Sequence, residues 1–178
     1  MTGLAKEYGE ALYELAKEEG VLDALHDELK VVIALLNDEP MFTQLLCSRA
    51  IEREKRLKVV DDTFRDRAHV FIVNYMKLLV EKERFECFAD SVKWFHQRYN
   101  EDFGIVEAQV TSAAALSDEE QEALRQKLMQ MSNRKVSMTL RVDPSLIGGI
   151  RVEMDGKRYD NTIQNKLSRL RQSLVQGL

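Results

Sequence analysis

The sequence predicts a mainly α-helical protein in which an N-terminal helical bundle is followed by a small α/β domain. Three observations lead to this fold class. Apolar residues recur at three- and four-residue steps from Leu4 to Phe103, which is the spacing of amphipathic helices. After Gly104 the apolar residues alternate with polar ones, as they do in strands. The pair Asp155-Gly156 then interrupts an alternating segment and is typical of a two-residue hairpin turn.

The first part of the chain contains a succession of helical segments. The first helix is predicted to end near Gly20 and the second at Asn37 and Asp38. Pro40 lies where the first turn of a short third helix tolerates a missing N–H, and a charged helix follows over Glu52–Phe64. Leu57, Val60 and Phe64 of the charged helix are predicted to face inward. The apolar stripes of the other helices are Leu4, Tyr8, Ala11, Leu12, Leu15 and Ala16, then Leu22, Leu25, Leu29, Val32, Ile33 and Leu36, and finally Phe85, Phe88, Val92, Phe95, Tyr99 and Phe103.

One further helix, over Val70–Val80, is apolar on most of its circumference. Asn74 and Lys77 are its main polar interruptions. Such a helix needs cover on more than one side. Two interpretations remain open and are compatible: the helix lies at the centre of the bundle, or part of its surface receives a helix of another protein.

The remainder of the chain alternates strands and helices. Strands are predicted over 105–110 and 136–142, and a hairpin over 151–159. Between the first two strands, Ser117 and Glu120 form a capping box that opens a helix reaching about Ser132. A final helix carries the apolar stripe Ile163, Leu167, Leu170 and Leu174. The predicted domains are therefore residues 1–104 and 105–178.

The segment 143–149 joins the second strand to the hairpin. Asp143-Pro144-Ser145 is predicted to turn, and Leu146 and Ile147 are predicted to face the core. Gly148-Gly149 indicates a bulge or a close backbone approach, which needs no bound ligand to explain it.

Charge is distributed unevenly along the chain. The net charge of −4 divides into +5 for residues 134–178 and −9 for residues 1–133. The basic C-terminal segment is open to two interpretations, attraction to an acidic partner or an ordinary solvated surface. A nucleic-acid-binding module is the alternative from another functional class, but the strands lack the aromatic stacking residues of such modules.

The motifs of catalysis and of metal binding are missing from the sequence. Gly148-Gly149 is not followed by the Lys and Ser or Thr of a phosphate-binding loop, and GxSxG and HExxH do not occur. Cys47 and Cys87 are far apart in sequence, and no histidine lies at ligand spacing around them, so they are expected to be reduced core thiols. We therefore expect no catalytic residues, no cofactor and no metal. No apolar run is long enough to span a membrane and no signal peptide is present, which predicts a cytoplasmic chain.

Four motifs resemble one family. They are Val110–Ser117 followed by Gln121, Val142–Val152 with Asp160, Tyr8-Gly9-Glu10-Ala11-Leu12, and Asn74–Arg84. Together these segments resemble the ATP synthase delta subunit family, which is related to the mitochondrial oligomycin-sensitivity-conferring protein. Two positions depart from the family pattern, since Gly9 replaces the usual alanine and Asn161-Thr162 stands in place of Gly-Ser.

The resemblance implies a fold and a set of partners. It implies an N-terminal six-helix bundle (residues 1–104) on top of the catalytic head and a small α/β C-terminal domain (residues 105–178) on the paired b subunits of the peripheral stalk. The first and fifth helices would grip the N-terminal helix of an alpha subunit. The residues that would line this groove are Tyr8, Ala11, Leu12 and Leu15 from the first helix, with Ala11 as its small floor, and Tyr75, Leu78 and Leu79 from the fifth.

The resemblance also implies how the chain would act within the enzyme. It would be a non-catalytic stator subunit of the F-type proton-translocating ATP synthase, present once per complex and monomeric when isolated. It would lie at the cytoplasmic face of the bacterial cell membrane, associated peripherally through the complex, and it would bind no nucleic acid.

Overall fold

The computed structural model describes residues 3–167 and is mainly helical, with a small sheet in its C-terminal part. It divides into two compact units, Met1–Tyr99 and Asn100–Leu178. The division falls close to the boundary that the change of period predicts at Gly104, and each unit has an apolar core of its own.

The N-terminal unit is built from helices joined by short connections. Pro40 occupies the first turn of the third helix, as predicted, and the His69 side chain caps the fifth by accepting from the Phe71 N–H at 3.3 Å. In chain order the helices are α1 (Gly3–Glu18), α2 (Leu22–Asp38), α3 (Pro40–Cys47), α4 (Arg53–Phe64), α5 (Val70–Glu81) and, after a 3₁₀ turn over Phe85–Cys87, α6 (Phe88–Asp102).

The buried stripe of α1 differs in part from the predicted one. Its buried residues are Ala5, Gly9, Leu12, Tyr13 and Ala16. Leu12 and Ala16 of the predicted stripe are buried, whereas Ala11 and Leu15, which the resemblance assigns to the groove, are exposed. Gly9 explains why this stripe is divided. It has no apolar side chain that a sequence pattern could show, but its backbone packs against α6, and this contact places that side of α1 in the core. A Cβ atom built on Gly9 would lie 2.6 Å from the Ser91 carbonyl oxygen.

Most of α5 lies in the core of this unit. Its buried residues are Ile72, Val73, Tyr75, Met76, Leu79 and Val80. Val70 and Leu78 are left exposed. The central position explains the unusual apolar content of this helix, while these two side chains remain accessible to a partner. The expectation of core thiols is confirmed for Cys87, which is buried, and is wrong for Cys47, which is exposed. Phe103, at the end of the last apolar stripe, is also exposed.

The C-terminal unit contains a four-stranded sheet with strand order β2-β1-β3-β4. Strand β1 pairs in parallel with β2 and antiparallel with β3, and β3 pairs antiparallel with β4. A parallel pair requires a crossover connection, which α7 supplies. The elements are β1 (Ile105–Ser112), α7 (Asp118–Ser132), β2 (Lys135–Val142), β3 (Ile150–Met154) and β4 (Lys157–Asp160).

Two local predictions for this unit are confirmed. The Ser117 hydroxyl accepts from the Glu120 N–H at 3.2 Å, and the Glu120 carboxylate accepts from the Ser117 N–H at 2.9 Å, so the capping box closes at the start of α7. The β3–β4 turn has φ of 51° at Asp155 and 69° at Gly156. Positive φ at both central residues is what a type I′ hairpin turn requires.

The segment before β3 agrees with the sequence prediction except at Ile147. Leu146 is buried, but Ile147 is 72% exposed and has φ of 64°. The preceding 3₁₀ turn, Pro144–Leu146, ends at Ile147 in this left-handed conformation, which directs the side chain away from the core. Gly149, with φ of 85°, lies directly against the Asn161 carbonyl oxygen, so the predicted close backbone approach is present.

The start of the predicted final helix lies within the described residues. Residues 163–167 are helical, and Asp160 precedes them, accepting from the Thr162 N–H at 3.1 Å and from its hydroxyl at 2.6 Å. Ile163 and Leu167 are exposed, whereas Leu170 and Leu174 lie outside the described residues. Within residues 3–167 no helix has the length and apolar character needed to cross a membrane.

Candidate functional site

The seven residues assigned to the groove fall into two groups by burial. Leu12, Tyr75 and Leu79 are buried in the core of the N-terminal unit. Tyr8 is half-buried and Ala11 is exposed, while Leu15 and Leu78 are each 39% exposed. A buried side chain cannot contact a partner without rearrangement. Direct contact is therefore open to Tyr8, Ala11, Leu15 and Leu78, while the other three residues can only support them from beneath.

The accessible groove residues of α1 form one continuous stripe. Tyr8, Ala11 and Leu15 are related by i, i+3 and i+7, so they lie one above the other on the same side of the helix. Ala11 is the smallest of them and leaves room between the two larger side chains. The stripe is apolar apart from the Tyr8 hydroxyl, and its shape suits the face of an incoming helix.

Three helices meet beneath this surface. The buried Tyr75 hydroxyl of α5 donates to the Ser91 hydroxyl of α6 at 2.6 Å, and Ser91 in turn donates to the Phe88 carbonyl oxygen at 2.7 Å. The Ser91 backbone carbonyl contacts α1 at Gly9. Because buried hydroxyl groups are costly without partners, these hydrogen bonds fix how α5 lies on α6, while close packing at Gly9 holds α1 against the same turn of α6.

Tyr75 remains a neutral donor in this arrangement. Burial raises the pKa of its phenol far above the ordinary value; the hydrogen bond to Ser91 works in the opposite direction, and the nearby Tyr8 adds to the rise. The site therefore has the character of a rigid apolar surface rather than a centre for proton transfer.

Sequence reasoning missed two residues on which this arrangement depends. Gly9 stands out in the sequence only as a departure from the family pattern, whereas in the structure it is buried between α1 and α6. Ser91 carried no sequence signal, since a single serine in an amphipathic helix is ordinary. Only the helix–helix contact reveals its role.

A second apolar concavity lies elsewhere on the same unit, between α2, α3 and the end of α4. Its volume is about 380 Å³. Val31 and Leu35 on its wall are exposed, and Glu28 and Arg67 stand at its rim. The sequence does not reveal it, because its lining combines residues of α2 with residues of α3 and the end of α4, which are distant from α2 in sequence.

Comparison with known proteins first defines the class of fold. The chain is similar over 98% of its length to a chain in the cryo-EM structure of the Toxoplasma gondii mitochondrial ATP synthase hexamer, with a TM-score of 0.75 over 98% of that chain. Sequence identity is 18%, so this likeness shows the architecture, a mainly helical protein with a small C-terminal sheet.

Sequence comparison then gives the family. The family model described as ATP synthase delta (OSCP) subunit matches residues 4–174. A protein of Myxococcus xanthus named ATP synthase subunit delta is 32% identical over 97% of both chains, and one of Carboxydothermus hydrogenoformans with the same name is 30% identical over 96% of both. The chain belongs to the ATP synthase delta (OSCP) subunit family.

Family membership decides between the classes that the sequence left open. It confirms the resemblance carried by the four motifs and makes the chain a structural subunit rather than a catalytic one. It gives no support to the alternative of a nucleic-acid-binding module.

Proposed function

We propose that the chain is the subunit of the F-type proton-translocating ATP synthase that links the alpha/beta catalytic head to the b subunits of the peripheral stalk. In this role it holds the head still against the torque of the rotor. Family membership supports the complex to which the chain belongs, and the division into two compact units supports one binding function for each end. The chain acts once per complex, at the cytoplasmic face of the bacterial membrane, and attaches there through its partners.

The N-terminal unit, with α1 to α6 acting as one six-helix bundle, takes the N-terminal helix of an alpha subunit. The observation that carries this proposal is the accessible apolar stripe Tyr8, Ala11 and Leu15 on α1, together with the exposed Leu78 on α5. An amphipathic helix presents anchors at the same i, i+3 and i+7 spacing, so it can lie along such a stripe. Leu12, Tyr75 and Leu79 hold the two helices in place from the core side.

The C-terminal unit takes the end of the b subunits. Its separate core distinguishes it from the N-terminal unit, and its last segment, residues 134–178, carries a net charge of +5. Two sites on different units predict that the two partners bind without excluding each other.

The test is a pair of titrations into the full-length chain. A synthetic peptide of the alpha-subunit N-terminus and the soluble part of the b dimer are added separately and then together, with heat of binding as the readout. Leu15→Asp and Leu78→Asp should weaken the peptide and leave the b dimer unaffected. Competition between the two ligands, or loss of b binding in these variants, would contradict the assignment of partners to units.

A further inference from the structure

The outer edge of β2 is the longest open strand edge in the described part of the C-terminal unit. Strand β2 has eight residues and stands at one end of the sheet, where β1 is its single neighbour among residues 3–167. The opposite edge, β4, has four residues, of which Lys157, Arg158 and Asp160 are charged. Short and charged strands discourage further pairing. Strand β4 is therefore protected against pairing with a further strand, whereas β2 is not.

The direction of the backbone groups of β2 follows from one hydrogen bond. The Asp143 N–H, just past the end of the strand, donates to the Ser112 carbonyl oxygen of β1 at 2.8 Å. Backbone groups alternate sides along a strand, so odd-numbered residues of β2 face β1 and even-numbered residues face the open edge. The N–H and C=O groups of Met138 and Leu140 are therefore directed toward the position of an additional strand.

The side chains of the same even-numbered residues lie on the apolar face of the sheet. In the β1–β2 register Val110 is opposite Leu140 and Ser112 is opposite Val142. The two β1 residues are buried, whereas Leu140 is 38% and Val142 is 50% exposed. An added strand with apolar side chains on this face would cover them.

The other face of β2 is basic at both ends. Lys135, Ser137, Thr139 and Arg141 alternate with the apolar residues, and neither Lys135 nor Arg141 has an ion-pair partner among the described residues. A strand that placed carboxylates beside these two side chains would gain charge pairing across the strands. A second copy of β2 would not gain this charge pairing, because antiparallel pairing centred on Met138 places the basic Lys135 opposite the basic Arg141.

From these observations we propose that the outer edge of β2 is a docking site for an extended segment of a partner protein, in which apolar and acidic residues alternate. The segment adds a fifth strand beside β2. Its apolar side chains cover Leu140 and Val142, and its carboxylates pair with Lys135 and Arg141. This mode of recognition takes its affinity from backbone hydrogen bonds and its specificity from alternate side chains. It does not depend on the proposed function, because none of these observations involves the alpha or b subunits.

The probe is a blocked peptide of about nine residues in which Glu and Val alternate, titrated into the full-length, isotope-labelled chain. We expect amide shifts and slowed exchange at the even-numbered residues of β2. We also expect binding to weaken at least about tenfold when salt rises from about 50 to about 500 mM, because surface charge pairs are screened. A peptide in which Lys replaces every Glu is the matched control and should bind at least about tenfold more weakly.

Two variants separate the backbone contribution from the charge contribution. Leu140→Pro removes an outward N–H while leaving the ladder to β1 intact, since proline is tolerated on an edge strand when its N–H would face solvent. It should abolish binding without changing the circular dichroism spectrum. The double variant Lys135→Glu with Arg141→Glu should reverse the preference, so that the lysine peptide binds more tightly than the glutamate peptide.

Several results would overturn the proposal. These include no binding of the glutamate peptide at millimolar concentration, shifts centred outside β2, a folded Leu140→Pro variant that still binds, and concentration-dependent self-association through β2 in place of peptide binding. Binding that appears only after residues 168–178 are deleted would also overturn it, because the end of this chain would then be the occupant of the edge.

Discussion

Arg56 and Glu83 form a two-point ion pair that joins α4 to the segment following α5. The Arg56 Nη2 atom lies 2.6 Å from Glu83 Oε1, and Nη1 lies 3.2 Å from Oε2. The same guanidinium donates to the carbonyl oxygens of Leu46 and Ile51, each at 3.1 Å. The Arg56 side chain is buried, while Glu83 is half-buried. One arginine thus satisfies groups from three segments of the N-terminal unit.

We expect Arg56→Ala to be the most damaging single charge removal in this unit. It leaves two carbonyl groups without their donor and a carboxylate without its partner, and each buried acceptor that loses its donor costs about 1–3 kcal/mol of unfolding free energy. Lys58→Ala is the control, because Lys58 is exposed on the same helix and should change stability by less than about 0.5 kcal/mol. Urea unfolding of both variants measures the difference, and equal midpoints would show that the ion pair contributes nothing.

A second prediction concerns the contact between His26 of α2 and His96 of α6. Their Nδ1 atoms are 2.8 Å apart, so one nitrogen must donate and the other accept. Burial lowers the pKa of both imidazoles to about 4. The charge of Lys30 lowers both pKa values further, whereas Asp27 raises both and Asp23 raises that of His26. Both rings are neutral in the folded protein at neutral pH.

The sign of the pH dependence follows from linkage. Between the unfolded pKa near 6.5 and the folded pKa of about 4, the unfolded chain binds more protons than the folded one. Stability is therefore complete above about pH 7 and decreases as pH falls, by roughly 2–4 kcal/mol for the two groups together between pH 7 and pH 5. Denaturation with urea at these two values measures the loss. The double variant His26→Phe with His96→Leu should show a smaller decrease, and an unchanged slope would place its origin elsewhere.

The third prediction concerns the close contact of α1 with α6. In Gly9→Ala the new methyl group would meet the Ser91 carbonyl oxygen at 2.6 Å and Trp94 Cβ at 3.2 Å. Alanine favours a helix over glycine by up to about 1 kcal/mol, but overpacking typically costs about 1–3 kcal/mol, so the net effect should be destabilising. Gly3→Ala on the same helix meets nothing within 4 Å and should be neutral or stabilising. Melting temperatures that rise equally in both variants would contradict the close packing.

Gly9 also shows why the sequence predicted the elements better than the site. Periodicity located α1 to α7 and the strands because regular structure repeats over many residues, and the Ser117–Glu120 box and the Asp155-Gly156 turn depend on neighbouring residues alone. The rotation of α1 depends on a contact with Ser91, which is distant in sequence. An apolar stripe wide enough to include both Leu12 and Leu15 does not reveal which of them faces the core. The left-handed conformation of Ile147 escaped prediction for a similar reason, since the residue type does not favour it.

The last prediction concerns the accessible stripe of α1. Ala11→Glu places a carboxylate between Tyr8 and Leu15, at a position that is exposed in the free chain. The free protein should therefore fold normally, because the charge is solvated. If the alpha-subunit helix lies along this stripe, binding must remove water from that charge without supplying a partner, at a cost of several kcal/mol. We expect a loss of affinity of at least about a hundredfold for a synthetic alpha-subunit N-terminal peptide, measured by calorimetric titration.

Two companion variants make the Ala11→Glu result interpretable. Glu14→Ala changes an exposed charge on the same helix, outside the stripe, and should leave peptide affinity within about threefold of wild type. Leu79→Ala removes a fully buried side chain of α5 and should cost about 2–5 kcal/mol of stability through the cavity it creates. Its effect on binding should follow the fraction of folded protein, whereas Ala11→Glu should lose binding while its circular dichroism spectrum and melting temperature stay at wild-type values. A folded Ala11→Glu protein that binds the peptide as tightly as wild type would show that the alpha-subunit helix docks on another surface, and the concavity lined by Val31 and Leu35 would be the next to test.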